Sequence, residues 1–121
     1  MAALQQIPIA PSSLERFRAV LGDDYARVEE ALAEVGRLFS GRVVWHVNST
    51  ARGGGVAEML QSLLAYTRGA GVDARWVTIG GDDEFFRVTK RIHNRLHGAD
   101  GDGGDLGDAE RAVYERILAA S

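Results

Sequence analysis

The sequence predicts an α/β protein with parallel strands and flanking helices. Two runs rich in β-branched and aromatic residues, 43–47 and 72–79, enclose an apolar stripe at helical spacing. A strand, helix and strand in this order are typical of a parallel βαβ unit. The first run leads through a short segment into the glycines at 53–55. Such a turn places free backbone N–H groups at a helix N-terminus, where α/β proteins bind phosphates and sugars.

Composition narrows the class of protein before any motif is considered. The 121 residues suit one domain, and the 45% of hydrophobic residues suffice for a packed core. A formal net charge of -3 gives no general attraction to nucleic acid or to an anionic membrane, so neither is an expected partner. The absence of cysteine excludes disulfides, thiolate metal sites and cysteine nucleophiles.

The N-terminus and the apolar segments favour a cytoplasmic location. No apolar run approaches the roughly 20 residues that span a bilayer. The first eleven residues lack a charged region followed by a long apolar stretch, so no secretion signal is predicted. We therefore expect a cytoplasmic protein without a membrane partner.

Residues 1–12 are predicted to form an extended arm, and residues 13–121 a single domain. The arm contains both prolines of the chain, and proline disfavours a helix at its own position and the preceding one. Ser12 or Ser13 then caps a helix that begins near Leu14.

A second helix and a strand follow in the sequence. Residues 22–24 interrupt the first helix, and the second carries apolar residues at helical spacing until Gly41 ends it. The apolar residues at 43–47 do not alternate with polar ones. This pattern predicts a central parallel strand that is covered on both faces.

The second half of the chain alternates between helices and a strand. A helix after the glycines closes at Gly69 and Gly71, and the strand at 72–79 follows. Asp82 or Asp83 caps the next helix. The remaining segments are a flexible glycine and aspartate linker at 98–107 and a last helix from about Asp108.

The glycine turn is the candidate binding site. Glycines at 53–55 allow a diphosphate or a sugar hydroxyl to approach the backbone. The spacing is neither Gly-x-Gly-x-x-Gly nor a Walker motif, so a dinucleotide site and a P-loop are not supported. The polar residues Asn48 and Ser49 stand at the carboxyl edge of the strand, where α/β sites gather. Glu58 lies in the first helical turn, where the helix dipole alone favours a carboxylate. For the glycines, the alternative interpretation is a tight strand-to-helix turn that binds no ligand.

No metal site is predicted. His93 and His97 are four residues apart, but the carboxylate of a His-Glu-x-x-His motif is missing between them. The aspartates of residues 100–105 resemble the beginning of an EF-hand loop. The glycine at the sixth position and the glutamate at the twelfth position of such a loop are both absent, so an EF-hand is rejected.

Several segments together resemble the N-terminal region of trehalose-forming glycosyltransferases. These enzymes belong to the retaining class that is built from two Rossmann-like domains, the GT-B class. The similarity covers roughly residues 13–118, and its most specific parts are His-Val-Asn-Ser-Thr at 46–50, Gly-Gly-Gly-Val-Ala-Glu-Met-Leu at 53–60, Glu-Phe-Phe-Arg-Val-Thr-Lys at 84–90 and Ile-His-Asn at 92–94.

The resemblance implies a partial Rossmann-like domain and a sugar-transfer function. Enzymes of this family pass glucose from a nucleoside-diphosphate glucose to glucose and need no cofactor. By resemblance, Gly53, Gly54 and Gly55 would contact the donor phosphate or sugar, while His93 and Asn94 would lie near the acceptor. The resemblance identifies no catalytic residues.

The given chain ends at Ser121, whereas the proteins of this family are longer. Proteins of the family continue through the rest of the first domain and a whole second domain, and this remainder carries most of the donor-binding residues. We therefore expect an N-terminal segment, inactive by itself, whose partner is a C-terminal glycosyltransferase domain or a second copy. The alternatives are a non-catalytic module that binds a sugar or nucleotide and a helical interaction protein without a site.

Overall fold

The computed structural model describes residues 4–121 and has a mixed α/β architecture, which confirms the predicted class. Within these residues, no helix is long and apolar enough to cross a membrane. The strands are β1 (Leu4–Ile7), β2 (Val43–Asn48) and β3 (Asp73–Ile79). The helices are α1 (Arg18–Leu21), α2 (Tyr25–Leu38), α3 (Gly55–Gly69), α4 (Asp83–Leu96) and α5 (Asp108–Leu118), with short 3-10 turns at Leu14–Phe17 and Gly22–Asp24.

The strands form a three-stranded sheet in the order β1-β3-β2. β2 and β3 are parallel, with Val43 opposite Asp73 and Asn48 opposite Thr78. Helix α3 connects the two strands. The predicted parallel βαβ unit is therefore confirmed.

β2 lies at the edge of the sheet, and the prediction of a central, covered strand was wrong. β3 occupies the centre, between the other two strands. Exposure alternates along β2, where Trp45 is 51% and Val47 is 55% exposed. Trp76 and Val77 of β3 are buried. Apolar residues at successive positions show that a strand could be covered on both faces, but pairing with β1 decides which strand is central.

The chain divides into two compact units. The first comprises Gln6–Thr78, and the second comprises Ile79–Ser121 together with Leu4 and Gln5. The core of the first unit lies between α3 and the sheet and consists of Ala57, Leu60, Leu64, Ala74 and Trp76, against which Ile7 and Ile9 pack. Because α3 follows the carboxyl end of β2 and packs this face on the sheet from its first turn onwards, the N-terminus of the helix lies near that end of the strand.

The N-terminal segment of the first unit runs close to α3. Ser13 caps the 3-10 turn by accepting a hydrogen bond from the Glu15 N–H at 3.1 Å, which confirms a cap at this position. The Ser12 N–H donates to the Ala65 carbonyl at 2.8 Å. The Ser12 backbone also lies where a Cβ at Gly69 would stand. The last turn of α3 therefore needs a glycine at this contact.

The second unit is a helix pair in which α4 and α5 pack together. Asp82 is the N-cap of α4, and its carboxylate accepts from the Phe85 N–H at 2.8 Å, as one of the two predicted caps. The Phe85 ring stacks on Tyr114 of α5 with ring centroids 5.8 Å apart. Arg116 of α5 donates to the Asp82 carboxylate at 2.8 Å. The cap of one helix is thus bonded to the other helix.

The segment between α4 and α5 is not the free linker that its composition predicted. The Arg91 guanidinium donates to the Asp102 carboxylate at 2.9 and 3.0 Å and to the Asp105 carbonyl at 3.1 Å. Arg95 donates to the Gly104 carbonyl at 2.8 Å. Two arginines of α4 therefore hold the segment. Glycine and aspartate content alone could not show partners that come from the preceding helix.

Candidate functional site

The glycine loop connects the carboxyl end of β2 to the N-terminus of α3. Gly53 has a φ of 71° and Gly54 a φ of 86°. With a ψ of 151°, Gly54 occupies a backbone region that is essentially restricted to glycine. α3 begins at the next residue. The predicted order of strand, glycine turn and helix is therefore confirmed, and the two positive φ angles explain why glycine is needed in the turn.

The start of α3 presents backbone N–H groups that the helix does not use. The first backbone bond of the helix runs from the Glu58 N–H to the Gly54 carbonyl at 3.3 Å. The N–H groups of Gly55 and Val56 precede it, and both residues are exposed. Within the described residues, Gly54 as N-cap offers no side chain to accept them. Exposed N–H groups at the positive end of a helix dipole favour an anion or a hydroxyl oxygen.

Asn48 is committed to contacts within the chain. Its Oδ1 accepts from the Trp76 Nε1–H at 2.6 Å, and its Nδ2 donates to the Thr50 carbonyl at 2.7 Å. Ser49 and Glu58, the other two polar residues predicted here, are exposed. Glu58 also adds a negative charge to the first turn of α3. The structure thus gathers Asn48, Ser49, Glu58 and the glycines around one strand-to-helix connection.

Of the three residues that hold this connection, Trp76 and Gln61 were missed in the sequence. Trp76 binds Asn48, the Thr50 hydroxyl donates to the Arg52 carbonyl at 2.6 Å, and the Gln61 amide donates to the Ala51 carbonyl at 3.3 Å. One signal was available, because a buried tryptophan usually needs an acceptor for its indole N–H. Asn48, at the end of the neighbouring strand, is a suitable acceptor.

The other two predicted site residues belong to the second unit. His93 and Asn94 lie in the last turns of α4. The His93 ring stacks on His97 with ring centroids 4.4 Å apart. The Asn94 carbonyl accepts from the Ala99 N–H at 2.8 Å. Their assignment to an acceptor site stays a prediction.

Each unit contains a carboxylate whose pKa is lowered by its hydrogen bonds. In the first unit, the hydrogen bond from Arg75 holds the pKa of Asp73 below its ordinary value. In the second unit, the Gly104 N–H and then Arg91 lower the pKa of Asp102. Both carboxylates are therefore charged at neutral pH and paired with arginine. Among residues 4–121, no group of three or more His, Cys, Asp or Glu side chains is arranged to hold a metal ion.

Comparison with known proteins identifies the family. Residues 46–121 match the family model described as "Trehalose synthase, N-terminal domain". The chain is 39% identical to the trehalose synthase of Rubrobacter xylanophilus over 113 residues, which is 93% of this chain and 26% of that protein. It is 46% identical to the trehalose synthase of Thermococcus litoralis over 85 residues, which is 70% of this chain and 20% of that protein.

The chain therefore belongs to the trehalose synthase family, as a segment similar to its N-terminal domain. The match begins at His46 and so includes the glycine loop, α3, β3 and both helices of the second unit. The chain spans only 20–26% of the length of these two relatives.

Proposed function

We propose that this chain supplies the glycine-loop part of a glucosyl-transfer site in a retaining glycosyltransferase of the GT-B class. The reaction would pass glucose from a nucleoside-diphosphate glucose to glucose and need no cofactor. Family membership supports the reaction class. The observation that carries the location of the site is the exposed start of α3, where Gly53 and Gly54 adopt conformations that leave the backbone open to a ligand.

The proposed role of the loop is electrostatic. The N–H groups of Gly55 and Val56 would donate to the donor phosphate or sugar and stabilise the negative charge that develops on the leaving diphosphate. His93 and Asn94 would be the polar groups on the acceptor side. The ligands are then the nucleotide sugar and a small sugar acceptor, and neither nucleic acid nor a membrane is a partner. We propose that the protein works in the cytoplasm.

We further propose that transfer requires a polypeptide equivalent to the remainder of the relatives. The chain corresponds to 26% of the Rubrobacter protein. The edge strand β2 also supports this proposal, since it carries an exposed row of Val43, Trp45 and Val47. Unpaired edge strands readily accept a further strand. A second copy of the chain is the other candidate for this edge.

Ligand titration with two glycine variants tests the role of the loop. We expect saturable binding of nucleoside-diphosphate glucose at millimolar concentration or below. Gly54→Ala should weaken it by about tenfold, because a Cβ at this positive φ costs about 1–3 kcal/mol of backbone strain. Gly41→Ala is the matched control, since Gly41 also has a positive φ, of 70°, but precedes β2 and lies outside the loop.

The two variants must differ for the proposal to stand. Equal binding by Gly54→Ala and the unsubstituted chain would show that the loop does not form the site. The absence of saturable binding at millimolar ligand would count against any donor site in this chain.

A reconstitution assay separates the enzyme from the non-catalytic alternative. The chain alone should form no trehalose, and adding the remaining part of the Thermococcus litoralis relative should restore transfer. Ligand binding without any transfer in the mixture would favour a sugar- or nucleotide-binding module.

A further inference from the structure

Asn48 links the buried core of the first unit to the exposed turn before the glycine loop. We infer that Asn48 is a positioning residue, which fixes the loop through its side-chain amide and does not itself contact ligand. The inference rests on the proposed function only in its reference to a ligand. The fixing of the loop is a property of the chain by itself.

The anchor of this link is the Trp76 indole. Trp76 is completely buried, with an exposure of 0%, and its Nε1–H donates to Asn48 Oδ1 at 2.6 Å. A buried N–H that lacks an acceptor is destabilising, so the core itself selects the orientation of the Asn48 amide. With Oδ1 directed at Trp76, Nδ2 reaches the Thr50 carbonyl at 2.7 Å.

The remainder of the turn continues the same chain of bonds. The Thr50 hydroxyl donates to the Arg52 carbonyl at 2.6 Å and accepts from the Arg52 N–H at 3.2 Å. Gln61, from α3, donates to the Ala51 carbonyl at 3.3 Å. The residues from Asn48 to Arg52 are therefore held at several points before the first glycine.

The glycines have fewer bonds of their own than the turn before them, although the Gly54 carbonyl accepts from the Glu58 N–H at 3.3 Å. Among the described residues, no atom lies within 4 Å of the positions that a Cβ would take at Gly53 or Gly54. No side chain of the described residues therefore crowds these two positions, and glycine itself has wide backbone freedom. The direction in which the Gly55 and Val56 N–H groups point then depends on the turn that Asn48 fixes and on α3.

Two variants separate the two hydrogen bonds of Asn48, and a third removes the next bonds of the turn. Asn48→Asp keeps an oxygen for the Trp76 indole and loses the donor to Thr50, whereas Asn48→Ala loses both. Thr50→Val removes only the hydroxyl bonds to Arg52, at an exposed position where folding should not be affected. Ser49→Ala is the control, because Ser49 is an exposed neighbour in the same turn.

Nuclear magnetic resonance of the whole chain gives the decisive readout without ligand. The indole N–H signal of Trp76 should shift and exchange at least about tenfold faster in Asn48→Ala, as expected for a lost buried hydrogen bond. In Asn48→Asp and Thr50→Val, the indole N–H of Trp76 should keep its hydrogen bond and its slow exchange. The backbone order parameters of residues 50–55 should fall in all three variants, from the range of rigid backbone towards about 0.6, and stay unchanged in Ser49→Ala.

Titration with nucleoside-diphosphate glucose then separates positioning from direct contact. Binding should weaken by about fivefold to tenfold in Thr50→Val, as lost hydrogen bonds predict, and by more in Asn48→Asp, whose carboxylate also repels the diphosphate. Unchanged order parameters in Asn48→Ala would overturn the inference, and weaker binding in that variant would then show that Asn48 contacts the ligand. If the unsubstituted chain binds no ligand, the proposed function fails, while the order parameters still decide the role of Asn48.

Discussion

At the scale of single residues, two opposing effects meet at Gly69. Gly69 is the last residue of α3, where alanine is the better helix former. A Cβ there would nevertheless overlap the Ser12 backbone, which is fixed by its bond to the Ala65 carbonyl at 2.8 Å. A backbone atom cannot move aside as a flexible side chain can. Packing therefore outweighs helix propensity at this position.

Gly69→Ala should lower the free energy of unfolding by about 1–2 kcal/mol, because the destabilisation by overpacking exceeds the gain from the higher helix propensity of alanine. Chemical denaturation measures this change. Ser62→Ala, an exposed substitution within the same helix, is the control and should change stability by less than about 0.5 kcal/mol. A more stable Gly69→Ala variant would show that the N-terminal segment does not pack on α3 as described.

At the scale of elements, the start of α4 is stabilised by charge. The Asp82 carboxylate accepts from the Phe85 N–H and from Arg116, and these bonds lower the pKa of Asp82. A lowered pKa in the folded state means that the charged form stabilises the fold. This contribution is complete above the ordinary aspartate pKa of about 3.9 and is lost as the pH falls through the lowered value.

The stability of the chain should therefore fall between about pH 5 and pH 2, and less steeply in Asp82→Asn. Asparagine keeps a capping oxygen for the Phe85 N–H but removes the charge that faces Arg116. Denaturation curves at several pH values measure the slopes. Asp83→Asn, at the adjacent exposed residue, should follow the unsubstituted chain. Parallel pH profiles for Asp82→Asn and the unsubstituted chain would contradict the role of this ion pair.

At the scale of the whole molecule, the sheet ends in an apolar edge strand. Val47 is 55% exposed, while Val77, its partner in register on β3, is only 7% exposed. Neither a proline nor a lysine lies in β2. Edge strands that remain unpaired in solution usually carry such protection against association. These features support the proposal that this edge contacts another polypeptide.

Val47→Lys should reduce self-association of the isolated chain without unfolding it, because the new charge lies in solvent. Light scattering over a concentration series measures association, and thermal unfolding measures stability. Val77→Lys introduces a lysine at the buried position that pairs with residue 47, and it should unfold the chain or destabilise it strongly. Equal destabilisation by both variants would mean that Val47 is packed, and unchanged association of Val47→Lys would exclude β2 as the contact.

Local features of the fold were predictable because residues close in sequence decide them. The caps at Ser13 and Asp82 depend on side chains that reach an N–H two or three residues ahead. The glycine turn before α3 likewise follows from the conformations open to glycine. In the candidate site, the loop was placed correctly, and the roles of its polar residues stay predictions.

The sequence by itself determined the α/β class, the parallel βαβ unit, the glycine turn and the family. Only the tertiary structure decided that β2 lies at the edge, that Arg91 holds the segment around Asp102, and that Asn48 binds Trp76. These last two contacts join residues 11 and 28 positions apart. Periodicity and propensity describe a residue and its near neighbours, whereas distant partners are selected by the packing of whole elements.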